Sequence, residues 1–395
     1  MSRLIIVLLT LFSLSLTAMD EYQEESGDIK YVLALDPGNL YGYAQTLLLE
    51  AIEKVAGKPI GKLFDLIGGI STGSVIGSLL TLQDEKGHSK YTATQVKKLY
   101  ETLGIELFSY SQDIKGQDYL DRFNFNIDES QFSEIQKENL RSRLNNLGVV
   151  VHDEKIFKKM LEQYLGHTKL TELSPPLVVI ARFRKGTMED FLTQAFNGDF
   201  DVSVQALKQS PPQTLDIELF VEYGLKIESL SGMSPIIFRT DLAKANDSQN
   251  IAVVDAVIAS SSPHNLFLPH EFIYNESIIT CIDGDCGHMS TVNETVKVAK
   301  ELWPQAKLVV FSLGCDTGGL TVDEFYINKM KNDPNLEIHV LKPFLPNGGF
   351  KANASSINIS EREKLLGMFE CIYESASTFI ESSAFKDATS SLNLK

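Results

Sequence analysis

Short, mainly apolar runs along this chain are separated by longer stretches in which apolar residues recur every third or fourth position. Tyr31 to Leu35, Phe64 to Ile67, Leu177 to Ala181, Ile278 to Ile282 and Lys307 to Leu313 are the runs. Their length and composition predict strands buried on both faces. Between the first two, Ala44, Leu47, Leu48, Ala51, Ile52 and Val55 keep a helical period that Gly57 closes. Gly73 to Leu80 predict a helix whose small residues permit close packing, and Ile251 to Ile258 enter another that stops at Ser260-Ser261-Ser262-Pro263. Strands alternating with helices predict an α/β fold whose sheet is mostly parallel and covered by helices.

Other stretches carry weaker patterns. From about Ser89 to Leu165 (89–165) the pattern is helical, polar and interrupted, and fits a cap over a site or a surface insertion equally. Asp201 to Pro235 mix strand-like and loop-like pieces in no clear order. Arg182, Arg184 and Lys185 read as a solvated strand end. The amino terminus is more informative. Met1-Ser2-Arg3 precedes an apolar stretch from Leu4 to Leu16, then Thr17 and Ala18. This predicts a secretory signal peptide over 1–18, with an uncleaved anchor as the alternative. A flexible acidic leader over 19–29, a domain over 30–385 and a tail over 386–395 complete the expected organisation. The expected location is therefore outside the cytoplasm, secreted or periplasmic.

The chain's 395 residues suffice for one large α/β domain or two ordinary ones. A net charge of −16 argues against nucleic acid as a partner. The four cysteines give no disulfide framework: Cys281 and Cys286 are close in sequence, while Cys315 and Cys371 stand alone. No spacing matches a zinc site, so neither metal nor cofactor is expected.

Chemistry enters at LIGGISTGSVIG, Leu66 to Gly77. Within it Gly69-Ile70-Ser71-Thr72-Gly73 is G-x-S-x-G, placed after an apolar run and before a small-residue helix. That context describes a nucleophile elbow, a strained strand-to-helix turn with glycine on both sides. The turn would expose the Ser71 hydroxyl and aim the Thr72 N–H at the reaction centre from the positive end of a helix. A serine hydroxyl needs a neighbouring base. His288 or His339 would complete a conventional triad, though each also reads as a surface or structural histidine. Asp283 closes an apolar strand before Gly284, where open α/β sheets present their chemistry, and it reads equally as a turn-forming aspartate.

Four blocks together resemble the patatin-like phospholipases, in that family's order over most of residues 30 to 320. Phe64-Asp65-Leu66-Ile67 with the elbow is similar to the family's FDxIxGTSTG, and Ser260-Ser261-Ser262-Pro263 to its SAAP element. Asp283-Gly284-Asp285 is similar to its DG(G/A) block, and Ser312-Leu313-Gly314 with Thr317-Gly318 to its SLGTG. The resemblance implies a three-layer α/β/α fold and a Ser71–Asp283 dyad without histidine. It also implies lipid acyl hydrolysis through an acyl-enzyme, acting on phospholipid or related lipid esters with transient membrane contact.

The chain departs from the family in its first loop. DGGGxRG appears as Asp36-Pro37-Gly38-Asn39-Leu40-Tyr41-Gly42, in which Pro37 has no N–H to offer. Gly38 and Asn39 keep backbone N–H groups, and with Thr72 they are the expected oxyanion hole. The altered loop also supports a second expectation, a pseudoenzyme that binds lipid or a host protein in the same cleft.

Overall fold

A computed structural model describes residues 28–109, 154–186, 233–263, 267, 269–287, 289–316, 322–345 and 362–394. The expected signal peptide, all of the leader but its last two residues, and the Asp201 to Pro235 stretch up to residue 232 lie outside these. Among the described residues eight strands form one sheet: β1 (Ile29–Leu35), β2 (Leu66–Ile70), β3 (Leu177–Lys185), β4 (Ser234–Arg239), β5 (His270–Tyr274), β6 (Ser277–Asp283), β7 (Lys307–Leu313) and β8 (Leu336–Leu341). Their order is β5-β6-β3-β2-β1-β7-β8, with β4 also paired to β3. The pairs β1–β2, β1–β7, β2–β3 and β7–β8 are parallel, while β4, β5 and β6 join antiparallel.

Strand β1 lies between two layers because every residue after Ile29 is buried. Tyr31, Leu33 and Leu35 face the larger core, against the helices Gly42–Ala56, Thr72–Thr81 and Ala93–Ser109. Val32 and Ala34 face the opposite core, against Val292, Val296 and Ala299 of the helix Thr291–Leu302. The molecule is a three-layer α/β/α fold on a mostly parallel sheet, as its alternation of runs predicts.

Three details differ from the sequence expectations. Residues read as the start of a tail instead belong to the helix Ser383–Ser390 and a final turn, burying Phe385, Ala388 and Leu392. The two described flanks of the 89–165 stretch are core helices. Val96, Tyr100 and Leu103 of Ala93–Ser109 and Phe157 and Leu161 of Glu154–Leu165 are all buried. Residues 110–153 lie outside the described structure. Arg182 is buried, and its guanidinium donates to the Met233 carbonyl at 2.7 Å.

The arrangement of β3 positions everything that follows. Its residues 178 to 180 pair with both β2 and β4, and 181 to 183 with both β4 and β6. A strand has only two edges, so β2 and β6 must share one of them, with β4 on the other. Ile70 ends β2 opposite Ile180, and Asp283 ends β6 opposite Ala181. The two strands run toward each other along one edge and stop one residue apart.

His270 joins helices across this layer. Its Nδ1 lies 2.6 Å from Glu154 and its Nε2 3.1 Å from Asp255, which also pairs with Lys158 at 3.0 Å. Burial pushes the imidazole pKa down, but hydrogen bonds to Asp255 and Glu154 outweigh it and raise the value above the ordinary one. A pKa raised by folding adds stability below the unfolded value of about 6.5, and that contribution disappears as pH climbs through the folded value. The stability difference between the wild type and His270→Gln is therefore expected to be largest under acid conditions and to shrink toward alkaline pH. Urea unfolding across pH measures it; a difference independent of pH would show that folding leaves the imidazole pKa unshifted.

Candidate active site

Ser71 sits at φ 52 and ψ −123, a conformation that L-residues rarely adopt, between β2 and the helix Thr72–Thr81. The glycines around it are required by contact. A Cβ on Gly69 would lie 2.4 Å from the Gly73 carbonyl carbon, and one on Gly73 would lie 2.0 Å from the Leu35 oxygen. The elbow can form only where strand and helix approach without side chains between them.

Three consecutive serines hold this turn. The Ser71 N–H donates to Ser260 Oγ at 2.9 Å, and Ser260 Oγ donates to the Ile180 carbonyl at 2.6 Å. Ser261 and Ser74 hydroxyls both donate to the Ser71 carbonyl, at 2.9 and 2.6 Å. The Ser262 carbonyl accepts the Asp283 N–H at 3.1 Å. The sequence shows this cluster as a polar stop after an apolar helix, without revealing what it supports.

Asp283 reaches the elbow from β6. The Asp285 N–H donates to its Oδ1 at 2.9 Å, and the Ser71 hydroxyl lies near enough to favour the ionised carboxylate. Its partner glycine is packed as tightly as those of the elbow. A Cβ on Gly284 would meet the Ile180 oxygen at 2.7 Å and Ile70 Cγ2 at 3.1 Å. Burial pushes the Asp283 pKa up to about 8, with the Asp285 charge adding to the shift and the bonds from Ser71 and the Asp285 N–H opposing it.

Among the described residues no expected histidine alternative enters this group. His339 lies in β8 with its Nε2 3.1 Å from Glu337, and His288 lies outside the described residues.

The first loop closes the site from the other side. Gly38 has φ 153 and Asn39 φ 51, and the Gly38 carbonyl accepts the Tyr41 N–H at 2.9 Å. Asn39, Ser71 and Thr72 line one cavity with Tyr100, whose other walls include Val75, Leu103, Leu107, Phe157 and Phe267. The cavity therefore has a polar end at the serine and an apolar body. Phe157 and Phe267 stack within it, ring centroids 5.1 Å apart.

Beneath the loop lies an ion cluster that sequence reading missed. Lys342, just past β8, pairs with Asp36 at 2.5 Å and with Asp323 at 3.3 Å. Asp323 also accepts from the Ser290 hydroxyl at 2.5 Å, and Ser290 caps the helix Thr291–Leu302. Burial raises the Asp36 pKa well above its usual range, the charge of Asp323 adds to this, and Lys342 opposes it. Burial lowers the Lys342 pKa, but the two carboxylates outweigh it and leave the ammonium firmly protonated. Residues 36, 323 and 342 share no motif spacing, so only the fold brings them together. Among the described residues no cluster of metal-binding side chains is present.

A family model described as "Patatin-like phospholipase" matches residues 33–286, spanning both the elbow and Asp283. The chain belongs to the patatin-like phospholipase family. Among relatives, "Phospholipase A I" of Arabidopsis thaliana is 39% identical over 80 residues, covering 20% of this chain and 6% of that protein. The "cUMP-AMP-activated phospholipase" of Escherichia coli is 41% identical over 63 residues, 15% of this chain and 20% of the other. "Patatin" of Solanum tuberosum is 26% identical over 135 residues, 32% and 35% of the two chains. Each match spans well under half the relative's length.

In this patatin-like chain the buried cation is the element most open to a stability test. Lys342→Met removes the charge and leaves Asp36 and Asp323 facing each other. A broken buried pair of this kind costs about 3–5 kcal/mol. Denaturant unfolding is expected to show a loss of that size with the m-value unchanged. A loss below about 1 kcal/mol would mean that water solvates these carboxylates after all.

Proposed function

We propose that this protein is a lipid acyl hydrolase that cleaves ester bonds of phospholipids or related lipids through Ser71 and Asp283. The observation that carries the reading is the meeting of Ser71 and Asp283 at the ends of β2 and β6, one residue apart along the edge of β3, at a strained elbow that opens on an apolar cavity. Family membership supports the substrate class, and the cavity supports an acyl chain as the part of the substrate held.

In this scheme Asp283 takes the Ser71 proton as Oγ attacks the ester carbonyl carbon. The N–H groups of Gly38, Asn39 and Thr72 stabilise the resulting oxyanion. Asp283 then passes its proton to the departing alcohol, leaving the acyl group on Ser71. A water that gives up a proton to Asp283 attacks the acyl-enzyme, and the fatty acid leaves as Ser71 regains its proton. Every atom transferred comes from ester, water or these two side chains, so no metal or cofactor takes part. Membrane contact would be transient, and the apolar segment Leu4 to Leu16 after Arg3 supports export.

One observation favours a second reading. Pro37 removes a possible donor beside Gly38, and losing one such donor can cost on the order of 100-fold in rate. A patatin-like pseudoenzyme holding lipid or a host protein in the cleft would follow if the remaining amides do not suffice. A fluorophosphonate probe separates the two readings, because only an activated serine reacts with it. Labelling of the wild type that is lost in Ser71→Ala supports the hydrolase; an unlabelled, folded wild type supports the pseudoenzyme.

Ser71→Ala and Asp283→Asn are each expected to reduce fatty-acid release from phospholipid vesicles to the uncatalysed background. Retained release by either variant rules out the dyad. The acid–base role has its own signature, because Asp283 can accept a proton only when ionised. With its pKa near about 8, kcat/KM should rise roughly tenfold per pH unit on the acid side and level off above that value. A flat profile between about pH 5 and 9 would exclude this carboxylate as the base.

A further inference from the structure

We propose that Tyr100 is a positioning residue that ties the first loop to the elbow and fixes the direction of the Asn39 backbone. The inference rests on the hydrolase reading above and extends it to a residue outside every recognised block.

Tyr100 lies in the helix Ala93–Ser109, buried in the wall of the cavity that holds Ser71. Its hydroxyl donates to the Asn39 carbonyl and lies 2.5 Å from Thr72 Oγ1. A phenol has one proton. Because the Asn39 carbonyl can only accept, that proton goes to the loop, and the Thr72 hydroxyl must donate to Tyr100. The result is a directed relay, from Thr72 O–H to Tyr100 O–H to Asn39 C=O, linking the first residue of the elbow helix to the loop.

The relay matters because of what already fixes the other side of Asn39. The preceding peptide is held by the Tyr41 N–H on the Gly38 carbonyl. In a trans peptide the N–H points opposite the carbonyl, so this bond sets the direction of the Asn39 N–H. Tyr100 holds the following peptide. With both flanking planes anchored, Asn39 is kept at φ 51, a conformation usual for glycine and tolerated by asparagine. Thr72 is held from two sides as well. A Cβ on Gly42 would fall 2.4 Å from Thr72 Oγ1 and 2.7 Å from Tyr100 Oη, so the chain there leaves the relay no room to swing. One phenol thus sets the relative placement of amides contributed by two separate elements.

Turnover of p-nitrophenyl butyrate by the full chain tests the idea, comparing wild type with Tyr100→Phe, Thr72→Val and the double variant. Phenylalanine keeps the ring in the cavity wall and removes only the hydroxyl. The expected result is a fall of about 10- to 100-fold in kcat with KM within about twofold, because misplaced donors weaken transition-state binding more than substrate binding. Thr72→Val is expected to lower kcat less, and the double variant to match Tyr100→Phe, as members of one relay do not add. Unchanged kcat in Tyr100→Phe, or additive losses, overturns the proposal. Should Tyr100→Phe not fold, Thr72→Val alone decides by the same split between kcat and KM. A wild type without Ser71-dependent turnover overturns the hydrolase reading and this inference with it. Turnover that depends on Ser71 but ignores Tyr100 overturns the inference alone.

Discussion

The edge that β3 offers to two strands is the constraint on which the site depends. β3 runs nine residues, Leu177–Lys185, while its parallel neighbour β2 ends opposite Ile180. The unused length of that edge is taken by β6, which returns antiparallel and ends opposite Ala181. Two chain segments more than two hundred residues apart therefore meet with their last residues nearly touching. A shorter β3, or a parallel β6, would leave Asp283 remote from Ser71. The close packing of Gly284 on Ile180 and Ile70 is the steric record of that meeting.

Much of this could be read from the residues. The apolar runs at Tyr31 to Leu35, Leu177 to Ala181 and Lys307 to Leu313 fall within β1, β3 and β7. The elbow sequence names its own turn, because only glycine satisfies the contacts at positions 69 and 73. The direction of β6 was not legible. A buried strand shows the same apolar run whichever way it points, so that Asp283 closes an antiparallel strand could not be read from the residues. β5 and β8 were missed because they are half-exposed strands whose polar positions obscure the run. The Asp36, Asp323 and Lys342 cluster, and Tyr100 beside Thr72, were invisible for another reason. Their meaning lies in contacts across the fold, and no local spacing encodes them.

The electrostatics of this end of the sheet carry a thermodynamic cost. Asp36 and Asp283 are both buried and both have raised pKa values, so ionising either is harder in the folded chain than in the unfolded one. Groups of this kind oppose folding as pH rises, the reverse of an ordinary surface-paired carboxylate. The two cases are handled differently. Asp36 is given a buried ammonium, Lys342, that recovers part of the cost. Among the described residues Asp283 is given no such counter-ion, only the Asp285 N–H and a nearby Ser71 hydroxyl. A carboxylate without a counter-ion keeps its basicity, which is what proton abstraction from an alcohol needs.

The serine run at the end of the helix Val253–Ser260 touches both halves of the site. Ser260 and Ser261 grip the backbone on either side of Ser71, and Ser262 grips the backbone of Asp283. Alcohol and carboxylate are thus gauged from one three-residue datum rather than from their own strands. Breathing of the sheet edge would carry both along together, leaving the gap between them nearly constant while the walls around them shift.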